Sequence, residues 1–200
     1  NLSHFNNQDS GHLSVTWLGH SSLMINIDGY KILVDPVFEK RVSVFGPTRF
    51  NGDVPLDIRQ IPNIDAVIIS HDHYDHLDEP TIRALHKRFG DAVCFVVPTG
   101  LLSWFRLRGI SNLVELGWWQ SAQLSHGEVF SVPAQHFSGR GPFDRNASLW
   151  CGWIWQYQDY RFYFAGDTGY GPVFKLIGEL FAPIDLALLP IGAYDPHWFM

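Results

Sequence analysis

The run His71-Asp72-His73-Tyr74-Asp75-His76 sets three imidazoles and two carboxylates within six residues. Neutral imidazole and carboxylate are first-choice ligands for Zn²⁺ and also suit Mn²⁺ or Fe. Such a density of ligands reads as a metal centre rather than a polar surface loop. His71 and His73 alternate along the loop and can converge on one ion, while Asp75 and His76 can point to a second beside it. One ion needs three or four ligands, so the run offers more than one ion uses, and the remaining ligands must come from elsewhere. Two segments qualify: Pro133-Ala134-Gln135-His136, a strand end carrying a His, and Phe164-Ala165-Gly166-Asp167-Thr168-Gly169, an apolar strand ending in a carboxylate. Asp167 offers two oxygens and can bridge two ions. Two close cations lower the pKa of a shared water to about 7, the chemistry of hydrolysis at phosphorus or carbonyl carbon. Asp75 lies where it can orient the attacking water and accept its proton, which makes it the candidate catalytic residue.

These groups need elements to position them. The apolar stretch Ala66-Val67-Ile68-Ile69-Ser70 reads as a buried strand, over 65–70, that delivers the run into the loop at its end. Further strands are expected at 13–17, 22–27 and 31–34, with Asp28-Gly29 as a hairpin turn between the last two. Residues 37–63, rich in Pro, Gly and Arg, read as a long loop. Asp78 is placed to cap a helix over 79–89, with Pro80 in its first turn and Gly90 just past its end. A strand follows at 94–98, and Thr99 is placed to cap a short helix ending near Gly109. The second half carries strands at 113–116, 128–134, 149–156, 161–165 and 185–190 and a helix around 172–181. Many antiparallel strands with a few helices outside them predict an α+β chain of two packed sheets flanked by helices.

Composition narrows the function. The formal net charge is −6 with only 14 Lys plus Arg, which argues against nucleic acid as a partner and against a polybasic membrane patch. No run of 18 apolar residues predicts a transmembrane span. Cys94 and Cys151 are too few for a disulfide framework; as buried thiols they suit a reducing, cytoplasmic setting. The chain carries 8 Trp and 15 Phe, so peripheral contact with lipid is expected. Clusters such as Trp118-Trp119 and Trp150 to Trp155 fit an acyl groove, although core packing is the favoured reading.

With His136 and Asp167 downstream, the His71 to His76 run resembles the HxHxDH signature of the metallo-β-lactamase fold superfamily. The resemblance extends from Thr16-Trp17-Leu18-Gly19-His20-Ser21 to the end of the chain. It is closest to hydrolases of the N-acylphosphatidylethanolamine-hydrolysing phospholipase D type, carried by Trp17-Leu18-Gly19-His20, Asp35-Pro36-Val37-Phe38, Ser70 to His76, Gly139-Arg140-Gly141, Asp144-Arg145-Asn146 and Ala165 to Tyr170. It implies an αββα sandwich with two mostly antiparallel sheets and a pair of zinc ions. It implies that His71, His73 and His136 hold one ion, that Asp75 and His76 hold the other, and that Asp167 bridges them. The implied activity is hydrolysis of a phosphodiester in a small-molecule or lipid substrate; a lactonase or other ester hydrolase of this fold is the alternative, and a metal-binding scaffold without turnover is a third.

The family has one further His ligand near its C-terminus. His197 is the only His after Asp167, and its context does not match. The expectation is therefore one domain over 1–200 that is cut short at its C-terminus and binds its first ion more tightly than its second. Around the centre, His20 is expected in a core or turn role, and Asp35 as a buried carboxylate behind the ligands or a turn residue. Asp72 and Asp78 are expected to serve the loop and the helix cap. Arg140, Arg145 and Asn146 are open between meeting a substrate phosphate and forming a solvated loop.

Overall fold

Turn chemistry organises the N-terminal strands. Asp28 and Gly29 both take left-handed backbone, with φ of 50° and 84°, the pair of positive angles that a two-residue type I′ hairpin requires. The turn joins β2 (Ser22–Ile27) to β3 (Tyr30–Val34), with Ile27 opposite Tyr30. Upstream, β1 (Leu13–Gly19) pairs antiparallel with β2, and its register slips between Trp17 and Gly19. This computed structural model describes residues 13–42, 46, 48, 57–61 and 63–192; His197 and much of the 37–63 loop lie outside the described residues.

The first sheet continues through β4 (Ala66–Ile68), β5 (Cys94–Pro98) and β6 (Leu113–Leu116), in the order β1-β2-β3-β4-β5-β6. Strands β3, β4 and β5 run parallel. A parallel neighbour needs a crossover, and α1 (Glu79–Phe89) provides it between β4 and β5, burying Thr81, Ile82 and Leu85. Residues of β4 are all buried, as an unbroken apolar run predicts for a parallel strand. The parallel direction also puts the carboxyl ends of β3 and β4 side by side. Two backbone hydrogen bonds carry the ladder past the strand ends: the Asp35 N–H donates to Ile68 O and the Ile69 N–H to Val96 O.

The chain forms two compact units, the first up to Val97 together with Leu102–Val114, the second from Pro98–Leu101 and from Glu115 onward. The second holds a sheet ordered β11-β10-β9-β8-β7, from β7 (Ser121–Gln123), β8 (Glu128–Val132), β9 (Gly152–Tyr157), β10 (Tyr160–Phe164) and β11 (Leu186–Leu188). Here α3 (Val173–Phe181) is the crossover between parallel β10 and β11. Its Ile177 is buried with Val132, Ile154, Tyr163 and Ala165, and Val173, Phe174 and Phe181 pack against that cluster. Strands β8 and β10 both run antiparallel to β9, so their carboxyl ends lie at one edge of the sheet.

Most expected elements are present, and the differences have local causes. Antiparallel pairs predominate, but the two helical crossovers make both sheets mixed. Strand β8 stops at Val132, before Pro133, which has no N–H to continue a ladder. Strand β7 was not expected, because Ser121-Ala122-Gln123 has no apolar alternation. Thr99 does not cap a helix; its N–H donates to Leu116 O, and α2 begins later, at Leu102–Arg106. Asp78 stands at the N-cap of α1, as expected, and its carboxylate accepts the Thr81 hydroxyl. Both cysteines are free, Cys151 buried and Cys94 only partly so. Among the described residues no helix is long and apolar enough to cross a membrane.

Candidate metal centre

The parallel pairing of β3 with β4 sets the first part of the site. Asp35 follows β3, Ser70 follows β4, and the side-chain carboxylate of Asp35 is fully buried between them. A buried carboxylate is costly unless donors meet it. Asp35 receives three: the Ser70 N–H at 2.7 Å, the Ser70 hydroxyl at 2.5 Å and His76 Nδ1 at 2.7 Å. The Ser70 hydroxyl has a single proton, which goes to Asp35, so its oxygen accepts from His71 Nδ1, 2.8 Å away. The network therefore fixes both His71 and His76 as Nδ1–H tautomers. Their Nε2 lone pairs face away from Asp35, the second-sphere arrangement of metal-binding imidazoles.

Those lone pairs point at other ligand atoms. His71 Nε2 stands 2.9 Å from His73 Nδ1, close to the separation of about 3.3 Å for two nitrogens on one tetrahedral zinc. His76 Nε2, buried, stands 3.8 Å from Asp75 Oδ2, beyond hydrogen-bond reach. The N/O donor set fits zinc or a similar ion. Asp35, His71 and His76 also offer atoms within 4.8 Å of one another, but the oxygens of Asp35 are taken by its three donors, so we assign it to the supporting layer.

Asp75 has a partner that the sequence did not indicate. His20 Nε2 is 2.9 Å from Asp75 Oδ2, and its imidazole is 52% exposed. His20 is thus a turn residue, as expected, but not a core one. Burial alone would raise the Asp75 pKa; the hydrogen bond from His20 and the electrostatic influence of the neighbouring His76 and His20 outweigh it and hold the carboxyl well below the usual carboxylate range.

In the second unit, His136 follows β8 and Asp167 follows β10, so the shared sheet edge brings them together. His136 Nε2 is 3.8 Å from Asp167 Oδ2, with the His136 side chain almost fully buried. Left-handed Gly166, φ 63°, turns the chain after β10. Thr168 and Gly169 fasten the two loops: the Gln135 N–H donates to Thr168 Oγ1 at 2.8 Å and the Gly169 N–H to Gln135 O at 2.9 Å.

Residues 30–200 match the family model of the beta-lactamase superfamily domain. The chain belongs to this superfamily. It is 46% identical over 195 residues to an uncharacterized protein of Mycobacterium tuberculosis, covering 95% of this chain and 51% of that one. It is 41% identical over 201 residues to N-acyl-phosphatidylethanolamine-hydrolyzing phospholipase D 1 of Caenorhabditis elegans, covering 94% of this chain and 56% of that one. Among solved structures, Igni18, a metallo hydrolase from Ignicoccus hospitalis, aligns with a TM-score of 0.71 at 24% identity, over 90% of this chain and 71% of that one. The two mixed sheets with few helices are those of the metallo-β-lactamase fold. The chain spans about half the length of the curated relatives it matches.

The 139–146 loop is braced internally: Asp144 Oδ1 accepts the N–H groups of Arg140 and Gly141. Asn146 Oδ1 accepts from the Ser138 N–H, and the Arg145 guanidinium lies 4.8 Å from the Phe137 ring centre. Trp153 and Trp155 are core residues, whereas Trp118 and Trp119 are partly exposed and Trp118 donates to Trp150 O.

Proposed function

We propose that this chain carries the catalytic centre of a metal-dependent hydrolase that cleaves the phosphodiester of a phospholipid resembling N-acylphosphatidylethanolamine. The observation that supports it most is the Asp35 network, which locks His71 and His76 with their Nδ1–H on the supporting side and their Nε2 atoms turned away from it. Following the superfamily pattern, His71, His73 and His136 would hold one ion and Asp75 and His76 a second, with Asp167 shared between them and zinc the first-choice metal. Bound there, the ions supply a nucleophile at neutral pH and neutralise charge on the phosphoryl oxygens. Asp75 orients the attacking water and accepts its proton. The water oxygen bonds to phosphorus, the bond from phosphorus to the leaving oxygen breaks, and Asp75 passes the proton to that oxygen. A lipid substrate and the absence of a spanning helix among the described residues fit peripheral membrane contact, and the free thiols fit a cytoplasmic setting.

The test is hydrolysis of N-acylphosphatidylethanolamine in vesicles by the zinc-loaded protein, beside a soluble phosphodiester and a lactone. Phosphodiester turnover that His71→Ala abolishes is the expected result. Turnover of the lactone alone transfers the centre to the lactonase reading, and bound metal without turnover on all three makes it a scaffold.

A further inference from the structure

The turn between β1 and β2 is built at a conformational cost. The register slips at Leu18, and both Gly19 and His20 take left-handed backbone, with φ of 97° and 51°. Glycine adopts this conformation freely, whereas for a histidine it is uncommon. Bulges and strained residues of this kind concentrate where a side chain must be re-aimed. Here the aim is visible: His20 Nε2 meets Asp75 Oδ2 at 2.9 Å, and the two imidazoles of His20 and His76 stand edge to face, centres 5.4 Å apart. The turn is held in place from behind, because the exposed Trp17 donates its indole N–H to His20 O at 2.7 Å. His20, Asp75 and His76 together offer three ligand atoms within 4.8 Å.

A carboxylate accepts hydrogen bonds and does not donate them, so the proton of the His20 to Asp75 bond sits on His20 Nε2. That nitrogen therefore acts as a donor, not as a metal ligand. We propose that His20 is a positioning residue for the Asp75–His76 cation site: it grips Oδ2 of Asp75 and so holds the carboxylate beside His76 Nε2, 3.8 Å away. The proposal rests on the metal-centre reading of Asp75 given above. It explains why a strained turn on a separate hairpin is spent on a half-exposed imidazole. Partners of this kind change metal affinity by about 10–100-fold when removed.

The test compares Zn²⁺ titrations of the protein and of His20→Ala, His20→Gln and Asp75→Ala, each checked for an unchanged melting transition without metal. Asp75→Ala identifies the ion that depends on Asp75. His20→Ala is expected to weaken that same ion by about 10–100-fold and leave the other unchanged. His20→Gln, whose amide N–H can still donate to Asp75 but is a poor ligand, is expected to recover most of the affinity. The visible spectrum of the Co²⁺-loaded His20→Gln variant should likewise match the parent. An ion lost on Asp75→Ala but untouched by His20→Ala overturns the proposal and leaves the metal centre standing. A Gln variant as weak as the Ala variant, with an altered Co²⁺ spectrum, also overturns it and makes His20 a direct ligand. A parent protein that takes up no Zn²⁺ overturns both readings.

Discussion

Replacing Asp35 by Asn tests the supporting network most directly. Asp35 is fully buried and accepts from the Ser70 N–H, the Ser70 hydroxyl and His76 Nδ1. The amide retains one acceptor, enough for the Ser70 N–H, and turns its NH₂ toward the other two groups. Two buried donors then lose their acceptor at about 1–3 kcal/mol each, an upper bound of about 6 kcal/mol that falls to the Ser70 share of about 1–3 kcal/mol if His76 shifts its proton to Nε2. That is a large share of the about 5–15 kcal/mol that holds a typical domain together. The amide also presents a donor to His76 Nδ1, which favours the opposite tautomer and puts a proton on the Nε2 atom that the proposed cation site uses. Urea unfolding of the metal-free protein reads the first effect, and long-range ¹H–¹⁵N spectra of the imidazoles read the second. The Asn variant should unfold at lower urea and show His76 protonated on Nε2. A loss under about 1 kcal/mol, with His76 still carrying its proton on Nδ1, would refute the reasoning, because a buried network cannot lose two acceptors so cheaply.

Chelation should lower the melting temperature: an ion present at about 100 times its Kd contributes about 2.7 kcal/mol, or roughly 5–10 °C for a chain of this size, and a scanning calorimeter that records no change counts against a folded-state metal site. Acid should unmask the Glu79 pair with Arg108 and Arg83: the Arg108 hydrogen bond, with help from Arg83, lowers the Glu79 pKa from 4.5 to about 2. The stability it contributes is therefore present above pH 4.5 and lost as the pH falls toward 2. The side chain is 31% exposed, so screening leaves about 1 kcal/mol, and Glu79→Gln should flatten the stability profile in that window by this amount. Gly127→Ala should cost about 2–4 kcal/mol in urea unfolding, since φ is +86° and the new Cβ would collide with the backbone O of Gln156. Gly29→Ala, at φ +84° but with nothing within 4 Å, should cost only the backbone strain of about 1–2 kcal/mol.

The His71 to His76 cluster of candidate ligands stood out in the sequence because its signal is local: six residues suffice to show it. The places of His136 and Asp167 were legible too, each following an apolar strand. The roles of Asp35 and His20 were not. Asp35 acquires its partners only through the parallel β3–β4 ladder, and ladder direction is a property of two distant segments. His20 looks like a turn residue in sequence, and the slip at Leu18 that re-aims it leaves no composition signal. The helices were legible from Pro80 and Gly90 and from the apolar pattern of 173–181, whereas β7, with three small or polar residues, carried none of the usual strand pattern.

The separation of Asp35 from Ser70 has a consequence for the order of assembly. The imidazoles of His71, His73 and His76 are neighbours in the chain, so the unfolded polypeptide is already a weak chelating peptide. What it lacks is the carboxylate that sorts their protons, which arrives only when β3 and β4 pair. An ion that grips the run early can do so through either ring nitrogen, and a grip through Nδ1 blocks the docking of Asp35. Metal supplied before the sheet closes thus competes with folding, and any affinity for the unfolded chain subtracts from the stabilisation the finished site delivers. Refolding in the presence of chelator, with zinc added afterwards, should give the higher yield of native protein.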